Sequence, residues 1–195
     1  MLRILVNHPI VDIVFVNSNS NAGNLISDVH TDLFGDTNLR FTDELSSDID
    51  VLFLCVGHGD AKKFLAANVI DSSIKIIDLS QDFRLKVNAG NKWVYGLPEL
   101  NREAIKKASF IANPGCFATC IQLGLLPLAS KGLLKSEVHI NATTGSTGAG
   151  QSLASTSHFS WRNNNLSVYK AFEHQHLNEI GESLKQLEPG FNEVL

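Results

Sequence analysis

Short apolar, β-branched runs alternate with stretches of helical spacing along most of this chain, and that alternation narrows the possible folds more than any other feature. "VDIVFVNS" (11–18) reads as a buried strand ending at Asn and Ser, and "IDVLFLCVGHG" (49–59) as a second strand stopped by glycines. "DAKKFLAANVI" (60–70) has helical spacing, and "SIKIIDLS" (73–80) is a third strand. "NREAIKKA" (101–108) reads as a short polar helix, "SFIAN" (109–113) as a strand, and "CFATCIQLGLLPLASKG" (116–132) as a helix closed by Gly132. Strands that alternate with helices are joined by crossovers, so the expected fold class is α/β with a parallel sheet.

The texture changes at "EVHINATTGSTGAG" (137–150), expected to be a strand running into a small-residue loop. A polar, irregular stretch follows, and "HLNEIGESLKQLE" (176–188) regains helical periodicity through Leu177, Ile180, Leu184 and Leu187. A domain boundary is expected near residue 135, dividing the chain into 1–135 and 136–195. Residues 1–8 look like the middle or end of a helix, whereas a doubly wound domain opens with a strand. "EPGFNEVL" stops soon after the second domain starts. Both ends suggest an excerpt, with the first strand and the end of the second domain outside it.

With 44% hydrophobic and 18% charged residues the chain can bury a sizeable core and is not disordered. A net charge of -4 without a basic block argues against non-specific nucleic-acid binding. Three cysteines, Cys55, Cys116 and Cys120, are an odd number without metal-ligand pair spacing, which suits a reducing compartment. The apolar runs are too short to span a bilayer, and His8, Pro9 and Asp12 interrupt any signal-peptide core. No membrane partner and a cytoplasmic location are expected.

Free cysteines usually behave as small buried hydrophobes. Cys55, inside an apolar strand, and Cys120, inside an apolar helix, are expected to do so. Cys116 differs. "SFIAN" is a strand, "PG" a tight turn and "CFATCIQLGLL" a helix, which puts Cys116 in the first helical turn. Unpaired backbone N–H groups and the positive dipole end favour a thiolate there. Such a corner at the carboxyl edge of a parallel sheet is also where these sheets bind ligands.

Thiolate chemistry needs a proton-transfer partner, usually His. In "EHQHLNE" (173–179) His174 and His176 share a face if extended. Glu179 follows His176 by three residues, within reach of its ring on a helix. No third ligand stands near this His-x-His, so no metal is expected. "NATTGSTGAG" could cradle a phosphate through backbone N–H groups or serve as a hinge between domains, and composition leaves both open.

The motifs fall in a specific order: "SNSNAGNLISDVHTDL" (18–33), "DLSQDFRL" (78–85), "YGLPELN" (95–101), "ANPGCFAT" (112–119) with "GLLPL" after it, "TTGSTGAG" (143–150) and "HQHLNEI" (174–180). Over nearly the whole chain this set resembles the N-acetyl-gamma-glutamyl-phosphate reductase family of arginine biosynthesis. The resemblance implies an NADP-binding Rossmann-like domain, here incomplete, followed by part of an α+β substrate and dimerisation domain, and a homo-oligomer (dimer or tetramer). It implies NADPH-dependent reduction of N-acetyl-L-glutamyl 5-phosphate to the 5-semialdehyde and phosphate through a cysteine thioester. Carried over by position, Cys116 is the nucleophile and His176 the acid/base, with His174 and Glu179 in support. Asn113 stands beside the nucleophile, and Ser80 and Arg84 line the substrate site, Arg84 as an anion contact. Ser18, Asn19 and Ser20 meet the adenosine ribose and its 2′-phosphate, Gly57 lies near the cofactor, and Gly148 lies near the cofactor and active site.

The sequence departs from the family at the glycine-rich pyrophosphate turn, at Gln175 where Arg is usual, at Cys120 where a small residue is usual, and at Asn19 where a basic residue is common. An aspartate-semialdehyde dehydrogenase-like reductase shares the thioester logic, but the "NPGC" spacing and the "HQH" cluster favour the glutamyl-phosphate enzyme. A cysteine hydrolase would lack the nucleotide-domain pattern and "SNSNAG". An inactive fragment is the remaining alternative, since without that turn the chain alone is expected to bind nucleotide poorly.

Overall fold

The structure, a computed structural model, describes residues 1–134, 137–150, 152–191 and 193–194, the last two through their backbone. The elements in chain order are α1 (Leu2–Leu5), β1 (Val16–Asn17), α2 (Ile26–Val29), β2 (Phe41–Thr42), β3 (Val51–Leu54), α3 (Asp60–Ala67), β4 (Lys75–Asp78), α4 (Lys86–Ala89) and β5 (Val94–Tyr95). Then come α5 (Pro98–Lys107), β6 (Phe110–Ala112), α6 (Cys116–Ala129), β7 (Glu137–Val138), α7 (Phe159–Arg162), α8 (His176–Leu187) and β8 (Glu193–Val194).

Four strands form one parallel sheet in the order β3-β4-β6-β5, with Leu52 opposite Ile76, Ile76 opposite Phe110 and Val94 opposite Ile111. All four therefore end at the same edge. Alternate residues Leu52, Leu54, Ile76 and Asp78 are buried on one face, where the apolar ones pack with Ala61, Ile74, Trp93 and Ala112. Trp93 stacks on Phe83 with ring centroids 4.0 Å apart and meets Phe110 edge-on. A second core joins α6 and α8 through Ala118, Leu126, Ala129, Ile180 and Leu184, with Leu97 from the first residues after β5. A third, around Ile26, Leu33 and Phe41, lies beneath the two-stranded parallel pair β1–β2.

Several expectations change. The strand expected over 11–18 keeps ladder pairing only at Val16–Asn17, and its partner is β2, because residues 11–15 find no neighbouring strand among the described residues. The strand beginning at 137 shrinks to Glu137–Val138, paired with β8. α5 starts earlier than residue 101, with Pro98 in its first turn, where a missing N–H costs nothing. α3 stops at Ala67, and the Asn68 side chain donates to the Phe64 carbonyl. The boundary expected near 135 lies at residues 135–136, outside the described residues.

Cys55 and Cys120, expected to be buried, are exposed, as Cys116 is. The buried stripe of α6 is Ala118, Gln122, Leu126 and Ala129, which turns Cys120 outward on the face that also carries Cys116 and Leu123. Cys55 lies one residue past the last ladder residue of β3, where the chain leaves the sheet.

Candidate active site

The parallel ladder delivers four loops to one edge: Cys55–Gly59 after β3, Leu79–Leu85 after β4, Gly96–Leu97 after β5 and Asn113–Gly115 after β6. In such sheets the crevice beyond the carboxyl ends is the ligand-binding side. The β4 loop is locked from within. Asp78 accepts from the Ser80 amide and hydroxyl at 2.9 and 2.8 Å, Ser80 Oγ accepts from the Asp82 amide, and the Asp78 carbonyl accepts from the Asn113 amide. Burial pushes the Asp78 carboxyl up. Asp82 reaches back to the start of α3 and accepts from the amides of Gly59 (2.6 Å) and Lys62 (3.2 Å), capping that helix from a distant loop.

Cys116 is the first residue of α6, follows Gly115 as N-cap, and is exposed. α8 crosses α6 and presents His176 and Glu179 from its first turn, both buried. The His176 ring lies flat against Gly115, so close that a Cβ at position 115 would sit 2.3 Å from His176 Nε2. Gly115 has φ -69°, a value open to any residue. Its glycine is demanded by this close approach, whereas the sequence suggested only a tight turn. Gly96, in the neighbouring loop, has the same reason, since a Cβ there would stand 2.7 Å from Ile111.

Glu179, 4% exposed, gathers the site. Its Oε2 accepts from the Gly115 amide (3.0 Å) and the Tyr95 hydroxyl (3.0 Å), and its Oε1 accepts from Arg84 Nη1 (3.2 Å) and lies 3.8 Å from His176 Nε2. Arg84, 8% exposed, also donates from Nε to the Asn113 carbonyl and from Nη2 to the Leu79 carbonyl. Burial lowers the His176 pKa, with His174, Arg84 and His58 acting in the same direction and Glu179 opposing, so the imidazole is neutral at pH 7 and free to accept a proton. His174 Nδ1 accepts from the His176 amide, and its ring sits edge-on to Phe117, Tyr169 and His176. Its pKa is lowered by burial and then by Lys170.

The structure thus brings Cys116, His174, His176, Glu179, Asn113 and Arg84 to one corner. Arg84, expected to contact an anion, directs its guanidinium to Glu179 and two backbone carbonyls. Ser80, expected at the substrate, is buried with its hydroxyl committed to Asp78. Ser18, Asn19 and Ser20 stand apart, at the end of β1. The two serine hydroxyls are 3.5 Å from each other and Asn21 Nδ2 is 3.3 Å from each, a polar cluster able to meet ribose or phosphate oxygens. Gly57 is exposed in the β3 loop, and Gly148 is exposed in a short 3-10 turn, Ser146–Ala149. Tyr95 and Gln122, which lie in "YGLPELN" and "CFATCIQLGLL", join the site without having been expected there. The signal available was Gln122 itself, a polar residue inside an apolar helix. A cavity of about 190 Å³ opens beside Arg84, Tyr95 and Glu179, lined also by Glu182 and Gln186, and neither Cys116 nor His176 borders it.

Fold and site together define a class: an α/β protein with a parallel sheet whose carboxyl edge carries a helix-initiating thiol, backed by an imidazole and a buried carboxylate. The chain belongs to the semialdehyde dehydrogenase family: the model of that family's NAD binding domain matches residues 1–108, and that of its dimerisation domain matches residues 116–194. Curated relatives are named N-acetyl-gamma-glutamyl-phosphate reductase. The one from Bacteroides thetaiotaomicron is 60% identical over 98% of this chain, and the one from Azobacteroides pseudotrichonymphae is 62% identical over the same share. The chain spans about 60% of the length of each. Aspartate semialdehyde dehydrogenase II from Vibrio cholerae shares the fold, with a TM-score of 0.65 and 16% identity over 94% of this chain and 60% of that one. Among the described residues no helix is long and apolar enough to cross a membrane.

Proposed function

We propose that this chain carries the thiol and much of the nucleotide-binding region of an NADP-dependent N-acetyl-gamma-glutamyl-phosphate reductase, in the cytoplasmic pathway to arginine. The observation that carries the reading is His176 laid across Gly115, one residue from an exposed helix-initiating Cys116, in a chain about 60% identical to relatives bearing that name.

The neutral imidazole of His176 accepts the Cys116 thiol proton. The thiolate attacks the acyl-phosphate carbonyl, the new C–S bond forms, the C–O bond to phosphate breaks, and phosphate leaves a thioester on Cys116. The reduced nicotinamide nucleotide, when bound, supplies the hydride. N–H groups at the start of α6 would stabilise the oxyanion of the resulting thiohemiacetal. It collapses by re-forming C=O and breaking the C–S bond, and His176 returns its proton to the departing sulfur as the aldehyde leaves. Glu179 steadies the imidazolium, and Arg84 keeps Glu179 oriented. Ser18, Asn19, Ser20 and Gly57 would hold the nucleotide, and Gly148 would close over it. The division of the chain near residue 135 and assembly into a dimer or tetramer belong to the same proposal.

Acylation tests it without any nucleotide. With N-acetylglutamyl phosphate the chain should gain one N-acetylglutamyl group at Cys116, read by peptide mass spectrometry, with release of one equivalent of phosphate. Acylation by β-aspartyl phosphate instead would favour the aspartate-semialdehyde dehydrogenase-like alternative, and no acylation of Cys116 by either would sink the reading.

A further inference from the structure

Gln122 is fully buried in the middle of an otherwise apolar helix face, and among the described residues its Oε1 has no partner. A leucine there would pack without that loss, so stability does not explain the amide. Its Nε2 donates to the Tyr95 hydroxyl at 2.8 Å, and Tyr95 donates to Glu179 Oε2 at 3.0 Å. A phenol has one proton. Because Tyr95 Oη already accepts from Gln122, that proton is directed at the carboxylate, the stronger acceptor.

We propose that Gln122 and Tyr95 form a positioning relay that sets the carboxylate plane of Glu179, and through it the placement of Gly115 and His176. Oε2 is pinned by two donors from different elements, the hydroxyl at the end of β5 and the amide preceding α6, while Oε1 is left to Arg84 and His176. Neither Tyr95 nor Gln122 needs to touch substrate. The pair passes order from the sheet edge and from α6 into α8, so that the carboxylate steadies His176 without drawing close enough to hold it protonated. The name given to the pair's task rests on the acyl-phosphate reading, but the geometry does not.

The test is the titration of His176, followed by imidazole NMR on the chain without substrate and assigned by loss of the signal in His176→Gln. Groups bearing on that ring are Glu179 from α8, His174 just before that helix, Arg84 after β4 and His58 after β3, all kept in the variants. In Tyr95→Phe the freed carboxylate turns to the ring, and the His176 midpoint should rise by roughly half a pKa unit. Gln122→Leu should shift it less, in the same direction. In the acyl-phosphate reaction both should lower kcat and leave KM nearly unchanged.

A His176 midpoint unmoved in Tyr95→Phe, whatever happens to its melting temperature, overturns the proposal. A shift in Tyr95→Phe with none in Gln122→Leu removes Gln122 from it. Should Tyr95→Phe not fold, Gln122→Leu decides alone, and failure of both to fold assigns the pair to the core and also overturns the proposal. Because the titration needs no substrate, it stands or falls separately from the acylation test.

Discussion

Gly115 is the residue at which a single carbon atom decides the site. A Cβ there would lie 2.3 Å from His176 Nε2, so Gly115→Ala must push the ring away or displace α8. A displacement of about 1 Å is worth about 100-fold in rate. Gly115→Ala should therefore lower acylation of Cys116 by about that factor, while iodoacetamide still reaches the exposed thiol. If acylation stays at the unaltered rate, His176 is not the proton acceptor. The three thiols should label unequally. Cys116 at the helix start should react first, and Cys55 last, because the protein around it pushes its thiol up even though it reaches the surface. His176 also sets a pH dependence. Its pKa lies below its ordinary 6.5 in the folded chain. Above that value neither state holds the proton, and its contribution to stability is constant. As pH falls through 6.5 the unfolded chain binds a proton that the folded chain still refuses, so stability drops. Urea midpoints at pH 7.5 and 5.5 should show that loss, and the loss should shrink in His176→Gln.

Elements show why some of the sequence reading succeeded. The strands at 51–54, 75–78 and 110–112 were legible because each sits in a short, largely apolar run bounded by turn residues, and α6 and α8 because their apolar periodicity is long. β5 was missed. "WVY" offers two ladder residues, and only pairing with β6 makes them a strand. The expected strand at 11–18 erred the other way, since β propensity without a neighbouring edge yields no ladder. α3 shows a capping signal that local sequence does not contain: its cap is Asp82, 23 residues from Gly59. Asp82→Ala should lower stability by about 1 kcal/mol, the usual worth of a helix cap. It should show as a lower melting temperature with Cys116 labelling unchanged, and an unaltered melting temperature would mean that water replaces the carboxylate.

At the scale of the molecule, α6 and α8 are packed through Ala118, Leu126, Ile180 and Leu184, and that contact is what brings His176 to Gly115. Leu184 is fully buried, so Leu184→Ala should cost about 2–5 kcal/mol. Because α8 carries the imidazole, the same variant should slow acylation. A folded variant with full acylation would show that α8 is held by something else. The Arg84–Glu179 pair joins residues 95 apart, both nearly out of solvent, so removing either charge strands the other in the interior. The sequence by itself determined the α/β class, the strand-turn-helix corner that puts a cysteine at a helix start, and the pairing of His176 with Glu179, because periodicity, turn residues and helical spacing act over a few neighbours. Only the tertiary structure decided that Arg84 and Ser80 serve the protein's own carboxylates, that Cys55 and Cys120 face outward, that Gly115 is glycine to admit an imidazole, and that Tyr95 and Gln122 belong to the site. Each of those depends on burial and on donors brought together from distant segments, and one-dimensional spacing carries no information about which buried polar groups will satisfy one another.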